Sequence, residues 1–343
     1  MNDSLQDIAK KLLVRGRGIL AADESDSTCA KRFEKYAIPK TPDMRRAWRE
    51  LLFSTPKVAE GLSGIILYDE TLRQKTSAGV AFTDFLNEKS ILPGIKVDQK
   101  TEPFNSVQGK PLAGSPEEEV TKGLEGLPAR LAEYVKLGAK FTKWRAVIRI
   151  GEHLPTEGCI KENAKRMAQY ALACQKAGLV PIVEPEVLLD GTHTLARSEE
   201  VLTKTLAETF KALKEIGASL PGVILKSSMA LPGKESGKMA TPQEIASATL
   251  RAFTASVPKE VPGIVFLSGG QTPQEATIRL NEIAKLALKQ NAPWRITFSY
   301  SRALQDPVLA AWAGKSENPA KAQTIFQKRV AETAAASEGK FRG

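Results

Sequence analysis

Leu220–Pro221–Gly222–Val223–Ile224–Leu225–Lys226–Ser227–Ser228–Met229 is the stretch around which the chain is organised. Proline and glycine introduce an apolar, β-branched run, and that run ends on a lysine followed by two serines. A buried lysine without a partner is rare. Burial takes water from the charged ammonium, which favours the free amine and makes it available as a nucleophile. The ordinary alternative is a surface lysine snorkelling from a strand end, and only the rest of the chain decides between the two.

Seven further runs resemble this one. They are GILAAD (Gly18–Asp23), GIILY (Gly64–Tyr68), GIKVD (Gly94–Asp98), KFTKWRAVI (Lys140–Ile148), LVPIVEPE (Leu179–Glu186), GIVFLSGG (Gly263–Gly270) and RITFSY (Arg295–Tyr300). Each is too short and too β-branched for a buried helix, and most open on glycine, so all are expected strands. Amphipathic helices fill the gaps. Capping boxes with proline at the first position are expected at Ser115–Pro116–Glu117–Glu118, Thr241–Pro242–Gln243–Glu244 and Thr272–Pro273–Gln274–Glu275. After Ser198 a helical face of Leu202, Leu206, Leu213 and Ile216 runs to Gly217. Eight strands recurring roughly every 30 to 45 residues, each followed by a helix, predict an α/β fold with an eight-stranded parallel (β/α)8, or TIM, barrel. The competitor is a doubly wound open sheet, but GILAADES is not its glycine-rich dinucleotide turn. One domain over residues 1–343 is expected, with residues 1–17 an N-terminal helix and 319–343 a C-terminal helix and short tail.

Composition narrows the function. The chain has 343 residues, 42% of them hydrophobic, with no apolar stretch of membrane-spanning length, and it begins with an amphipathic helix rather than a signal peptide. Cys29, Cys159 and Cys174 have no metal or redox spacing and read as buried thiols of a cytosolic protein. A net charge of +10 suggests anionic partners. The charge is spread evenly, so phosphorylated small molecules fit better than nucleic acid. Two histidines, His153 and His193, offer little material for a zinc site.

In such a barrel the reacting groups sit at the C-terminal ends of the strands. Those ends carry Asp23, Lys96 with Asp98, Lys143 with Arg145, Glu184 with Glu186, Lys226, Ser268 with Gly269 and Gly270, and Arg302. Taken singly, each has a structural role open to it; Asp23–Glu24–Ser25, for example, would cap a helix. Together they converge on one mouth. Lys226, desolvated and flanked by cationic Lys143, is the expected imine-forming amine, with Asp23 and Glu184 moving protons. Ser268–Gly269–Gly270 and Ser301–Arg302 lead into helices and form one expected phosphate site. Ser25, Thr28 and Arg32, with Lys96 alongside, form a second. Two phosphate sites around an imine lysine suggest a ketose phosphorylated at both ends.

These residues resemble class I fructose-1,6-bisphosphate aldolase over essentially the whole chain. The matching motifs are GILAADES (Gly18–Ser25), AKRF (Ala30–Phe33), ETL (Glu70–Leu72), GIKVD (Gly94–Asp98), KWR (Lys143–Arg145), PIVEPE (Pro181–Glu186), LLDGTH (Leu188–His193), LSGGQ (Leu267–Gln271) and TFSYSRALQ (Thr297–Gln305). The resemblance implies reversible cleavage of fructose 1,6-bisphosphate in glycolysis and gluconeogenesis, through a Schiff base on Lys226. It implies that Asp23 assists C3–C4 cleavage, that Lys143 and Glu184 serve acid–base and dehydration steps, and that Glu186 and Arg145 lie close by. Ser268, Gly269 and Arg302 match the grip on the C1 phosphate; Ser25, Thr28, Arg32 and Lys96 match the other phosphate region. It further implies a homotetramer acting on phosphorylated sugar; with the composition above, a cytoplasmic protein with no cofactor, metal, nucleic-acid or membrane partner is expected.

The chain departs from the family pattern at three places. Pro221–Gly222 stands where Glu-Gly usually precedes the lysine strand, and Lys226–Ser227–Ser228 where Lys-Pro-Asn is usual. Tyr300–Ser301–Arg302 replaces Tyr-Gly-Arg. Animal-type members carry a tail ending in a tyrosine that aids proton exchange; here Phe341–Arg342–Gly343 ends the chain. A short polar end of this kind is expected to be mobile, leaving the exchange to Glu184, Tyr300 or the substrate phosphate. Two other readings stay open at this point: a transaldolase-like or deoxyribose-phosphate aldolase-like lysine lyase, which needs only one phosphate site, and a non-catalytic scaffold on the same barrel.

Overall fold

The computed structural model describes residues 3–104 and 118–343; the expected capping box at Ser115–Glu118 falls largely outside them. All eight expected strands form, with boundaries shifted by a few residues. They are β1 (Gly18–Ala22), β2 (Leu62–Leu67), β3 (Leu92–Lys96), β6 (Phe141–Ile148), β7 (Val180–Val187), β8 (Ile224–Ser227), β9 (Gly263–Phe266) and β10 (Arg295–Tyr300). They close into a parallel barrel in the order β1-β10-β9-β8-β7-β6-β3-β2. Two three-residue strands, β4 (Thr101–Pro103) and β5 (Glu119–Thr121), pair antiparallel outside the barrel. Sequence pattern missed them because three residues are too few for alternation to register.

Successive strand residues face opposite sides, so every second one points into the barrel. The lower inward layer is apolar: Ile19, Ala21, Ile66, Phe141, Val180, Ile182, Ile224 and Val265. Ile8, Ala9, Leu12 and Leu13, from the N-terminal helix Leu5–Leu12 and its end, pack onto this layer and close the barrel at the N-terminal ends of the strands. Each large aliphatic side chain buried there contributes about 2 kcal/mol. The glycines that open strands make this floor fit. A Cβ on Gly64 would stand 2.7 Å from Leu12, and one on Gly94 would overlap the Phe141 ring.

Helices cover the outside. The capping boxes at Thr241–Glu244 and Thr272–Glu275 form, each with proline in the first turn. The helix expected after Ser198 starts earlier, at Leu195, capped by Thr194, and ends before Gly217 at φ +78°. Ser198 lies inside it, where its hydroxyl accepts from the Leu231 N–H at 3.1 Å.

The chain end is docked rather than mobile. Phe341 packs against the core, its N–H donates to Asn281 Oδ1 at 2.9 Å, and Glu338 pairs with Arg15. Arg15 lies three residues before β1, so the Glu338 contact lies toward the floor, away from the strands' C-terminal ends.

Candidate active site

Two residues above the apolar layer the inward positions turn charged. Ala21 is followed by Asp23, Phe141 by Lys143, Ile182 by Glu184 and Ile224 by Lys226. Ladder register sets Lys143 beside Ile182 and Lys226 beside Val265, so the four charged groups come from strands held at fixed height. Above them opens a cavity of about 810 Å³.

All four are buried. Lys226 Nζ is 3.0 Å from Glu184 Oε1, and Lys143 Nζ is 3.4 Å from Glu184 Oε2. Glu184 therefore stands between the two amines, and Lys226 faces a carboxylate, not the bare cation expected. Lys143 also meets Asp23 Oδ2 at 2.8 Å and Asp98 Oδ2 at 3.8 Å. Burial by itself would raise the Asp23 carboxyl, but Lys143 and Lys226 overcome that and bring it down to about 2. The same contest lowers Glu184, where Lys226 and Lys143 outweigh desolvation. For Lys143 desolvation favours the neutral amine; Asp23, Glu184 and Asp98 reverse this and raise it. At neutral pH Asp23 and Glu184 are thus proton acceptors and Lys143 is a fixed cation. Among the described residues Glu184 Oε2 accepts no hydrogen bond, and Lys143 Nζ at 3.4 Å is its counter-charge.

Around this centre lie two groups of anion-binding character. On one side Gly269 and Gly270 adopt φ of +56° and +90°, conformations that side chains disfavour. A Cβ on Gly270 would lie 3.7 Å from the Arg302 guanidinium, so arginine and glycine loop share one corner. Ser268, Gly269, Ser301 and Arg302 all line the cavity there, and Arg302 is the first residue of the helix Arg302–Trp312. Also lining the cavity are Ser25 and Thr28, which follow β1 beside β10, and Lys96 at the end of β3. Ser25 also caps the helix Asp26–Glu34, accepting from the Thr28 N–H at 3.4 Å. Lys96 Nζ donates to the Asp98 carbonyl at 2.9 Å and pairs with its carboxylate. Arg145 pairs with Glu186, and both line the cavity.

Two expectations do not meet this geometry. Arg32 is absent from the lining; its guanidinium is taken by Glu24 and, at 2.8 Å, by Asp306. Two carboxylates on neighbouring elements capture it before it can reach the mouth. Tyr300 points outward, its hydroxyl donating to the Ala276 carbonyl at 2.9 Å, and burial pushes the phenol up. It is not placed for proton exchange at the cavity. Conversely, Glu24, Asp69, Arg73 and Tyr134 line the cavity without having been singled out. Asp69 and Arg73 form an i,i+4 pair with two contacts of 3.0 Å, a spacing visible in the sequence but common on any helix surface.

Among the described residues, no group of three or more His, Cys, Asp or Glu is placed to hold a metal ion, and no helix is long and apolar enough to cross a membrane.

Comparison with known proteins is consistent along the chain. A family model described as fructose-bisphosphate aldolase class-I matches residues 4–343. A probable fructose-bisphosphate aldolase class 1 of Xanthomonas campestris pv. campestris is 47% identical over 342 residues, covering 99% of both chains. A cytosolic fructose-bisphosphate aldolase of Arabidopsis thaliana is 48% identical over 328 residues, covering 96% of this chain and 81% of its own. A solved structure of the Plasmodium falciparum fructose-bisphosphate aldolase superposes with a TM-score of 0.94 at 43% identity, covering 99% of this chain and 95% of that one.

Proposed function

The chain belongs to the class I fructose-bisphosphate aldolase family, and from that premise we propose that it cleaves fructose 1,6-bisphosphate reversibly through an imine on Lys226. Dihydroxyacetone phosphate and glyceraldehyde 3-phosphate are the products. The observation that carries the lysine assignment is the 3.0 Å contact between Lys226 Nζ and Glu184 Oε1 beneath the cavity. Glu184 accepts a proton from the ammonium, and the free amine adds to the C2 carbonyl. Glu184 returns the proton to the departing hydroxyl, and water leaves as the imine forms. Asp23, ionised at neutral pH, then takes the C4-hydroxyl proton as the C3–C4 bond breaks and its electron pair moves into the iminium. Protonation of the resulting enamine at C3 and addition of water release the second product and restore Lys226. Lys143 steadies both carboxylates throughout, at 2.8 and 3.4 Å. The Gly269–Gly270 corner with Arg302 suits one phosphate, and Ser25, Thr28 and Lys96 suit the other.

This reading displaces the single-phosphate lyase and the scaffold alternatives. It is tested by borohydride reduction in the presence of dihydroxyacetone phosphate, followed by intact mass and peptide mapping. One adduct on Lys226 is expected; no adduct, or one on Lys143 or Lys96, would overturn the assignment. Because the imine is the electron sink, EDTA is expected to leave turnover within about 20% of the untreated enzyme, where a metal-dependent lyase would lose it. Zinc-restorable loss in EDTA would sink the imine mechanism.

Deleting residues 339–343 is expected to change neither cleavage nor solvent proton exchange into dihydroxyacetone phosphate by more than about threefold, under 1 kcal/mol of barrier. Within the segment the Phe341 N–H donates to Asn281 and its ring packs against the core, so the deletion acts on stability, lowering Tm by losing those contacts. Loss of exchange with cleavage spared would show that this segment reaches the mouth. A cytoplasmic location and a homotetramer complete the reading; relatives named cytosolic support the former, and light scattering tests the latter.

A further inference from the structure

The ladder between β7 and β8 is short. It pairs Ile182 with Ile224 and Val183 with Leu225, and stops there. On its other edge β7 stays paired with β6 up to Val187 opposite Ile148. The upper half of β7, which carries Glu184 and Glu186, is thus laddered on one side only, and the open side is the one facing Lys226. Above the last rung, the Ser228 side chain ties the two backbones together. The Val187 N–H donates to Ser228 Oγ at 3.0 Å, and the Ser228 hydroxyl donates back to the Val187 carbonyl at 2.9 Å. Both residues are buried.

The same segment is held on its other flank by β9, where the Leu267 N–H donates to the Ser227 carbonyl at 3.1 Å. Further on, buried hydroxyls satisfy two successive amides: Ala230 N–H donates to Thr249 Oγ1 at 3.0 Å and Leu231 N–H to Ser198 Oγ at 3.1 Å. The chain leaving Lys226 is therefore pinned on both sides, Ser228 joining the Lys226–Glu184 pair in linking it to β7. Ser228 is one of the positions where the chain departs from the family's usual residues.

We propose that Ser228 is a positioning residue for the lysine chemistry, its hydroxyl replacing the missing β7–β8 rung and keeping Glu184 in reach of Lys226. The inference rests on the lysine assignment above. Proton transfer between Glu184 and Lys226 requires hydrogen-bond distance, and a displacement of about 1 Å in such a pair costs on the order of a hundredfold in rate. Substrate affinity is set by the phosphate corners, which Ser228 does not line, so its loss acts on kcat and leaves KM alone.

The test compares wild type, Ser228→Ala and Ser228→Thr for kcat and KM on fructose 1,6-bisphosphate, and for the rate of borohydride-trappable imine formation with dihydroxyacetone phosphate. All are assayed well below each variant's Tm. Ser228→Ala is expected to lower kcat and imine formation at least about tenfold, with KM within about twofold. Ser228→Thr, which keeps the hydroxyl, is expected to recover kcat to within about threefold of wild type. Should the alanine variant not fold, Ser228→Cys keeps the shape with a poor hydrogen-bonding group and carries the same expectation. A lowered Tm with kcat and imine formation unchanged, or a rise in KM alone, would overturn the proposal. An adduct at Lys226 formed equally fast in wild type and Ser228→Ala removes only the role of Ser228; an adduct elsewhere in wild type removes the lysine assignment with it.

Discussion

Replacing Lys226 with alanine is expected to lower fructose 1,6-bisphosphate cleavage by at least about four orders of magnitude, some 5.5 kcal/mol of barrier. Only a nucleophilic amine forms the imine, and alanine removes it outright. The fold should survive. Glu184, which loses its 3.0 Å partner, keeps Lys143 at 3.4 Å, so no buried carboxylate is left without a counter-charge. The volume vacated adjoins the existing cavity, where solvent can fill it. Cooperative unfolding with a Tm near wild type, no detectable turnover and no borohydride adduct make up the expected result. Near-normal turnover with labelling of Lys143 or Lys96 would show that the nucleophile had been assigned to the wrong strand.

Lys143→Met should be the more damaging change for the molecule as a whole. Lys143 neutralises Asp23, Glu184 and Asp98 at once, and methionine keeps the bulk while removing the charge. Turnover is expected to fall at least about a thousandfold, because Asp23 and Glu184 lose the cation that keeps them ionised and in place. Stability should fall in a pH-dependent way. The Asp23 carboxyl lies lower in the folded protein, at about 2, than its ordinary value of 3.8. Its stabilising contribution is therefore present above about pH 4 and lost as the pH falls toward 2, and Glu184, also lowered, acts in the same sense. Removing Lys143 takes away the largest cationic share of the Asp23 shift while Lys226 remains, so the gap between wild type and variant should widen as pH rises from about 2 to 5. The whole Asp23 contribution is on the order of 2 kcal/mol, and the gap is the share of it that Lys143 supplies. Urea unfolding at several pH values measures it; a gap that stays constant with pH would mean that Lys143 does not hold these carboxylates ionised.

Much of the fold was legible because its signals are local. Runs such as GIILY and GIVFLSGG are short, β-branched and glycine-led, and each became a barrel strand. Thr241–Glu244 and Thr272–Glu275 declared their helix starts within four residues. The strands β4 and β5 were not legible, since three residues each are too few for an alternating pattern to show. The docked chain end was misread for a related reason. Phe341 looks like an isolated ring on a polar tail, and only the position of Asn281, sixty residues away, shows what it binds.

The site divides along the same line. Strand periodicity alone determined that Asp23, Lys143, Glu184 and Lys226 would face one space, because two-residue alternation carries each strand from apolar floor to charged rim. Whether neighbouring charges help or oppose one another depends on distances between strands, which no single segment encodes. Tertiary structure placed Glu184 between the two lysines, drew Arg32 away to Glu24 and Asp306, and turned Tyr300 outward to Ala276. It also revealed Ser228 as the link across an incomplete ladder. The physical reason is common to all four. A side chain's direction follows from its own backbone, while its partner is chosen by the register and tilt of elements that meet only when the barrel closes.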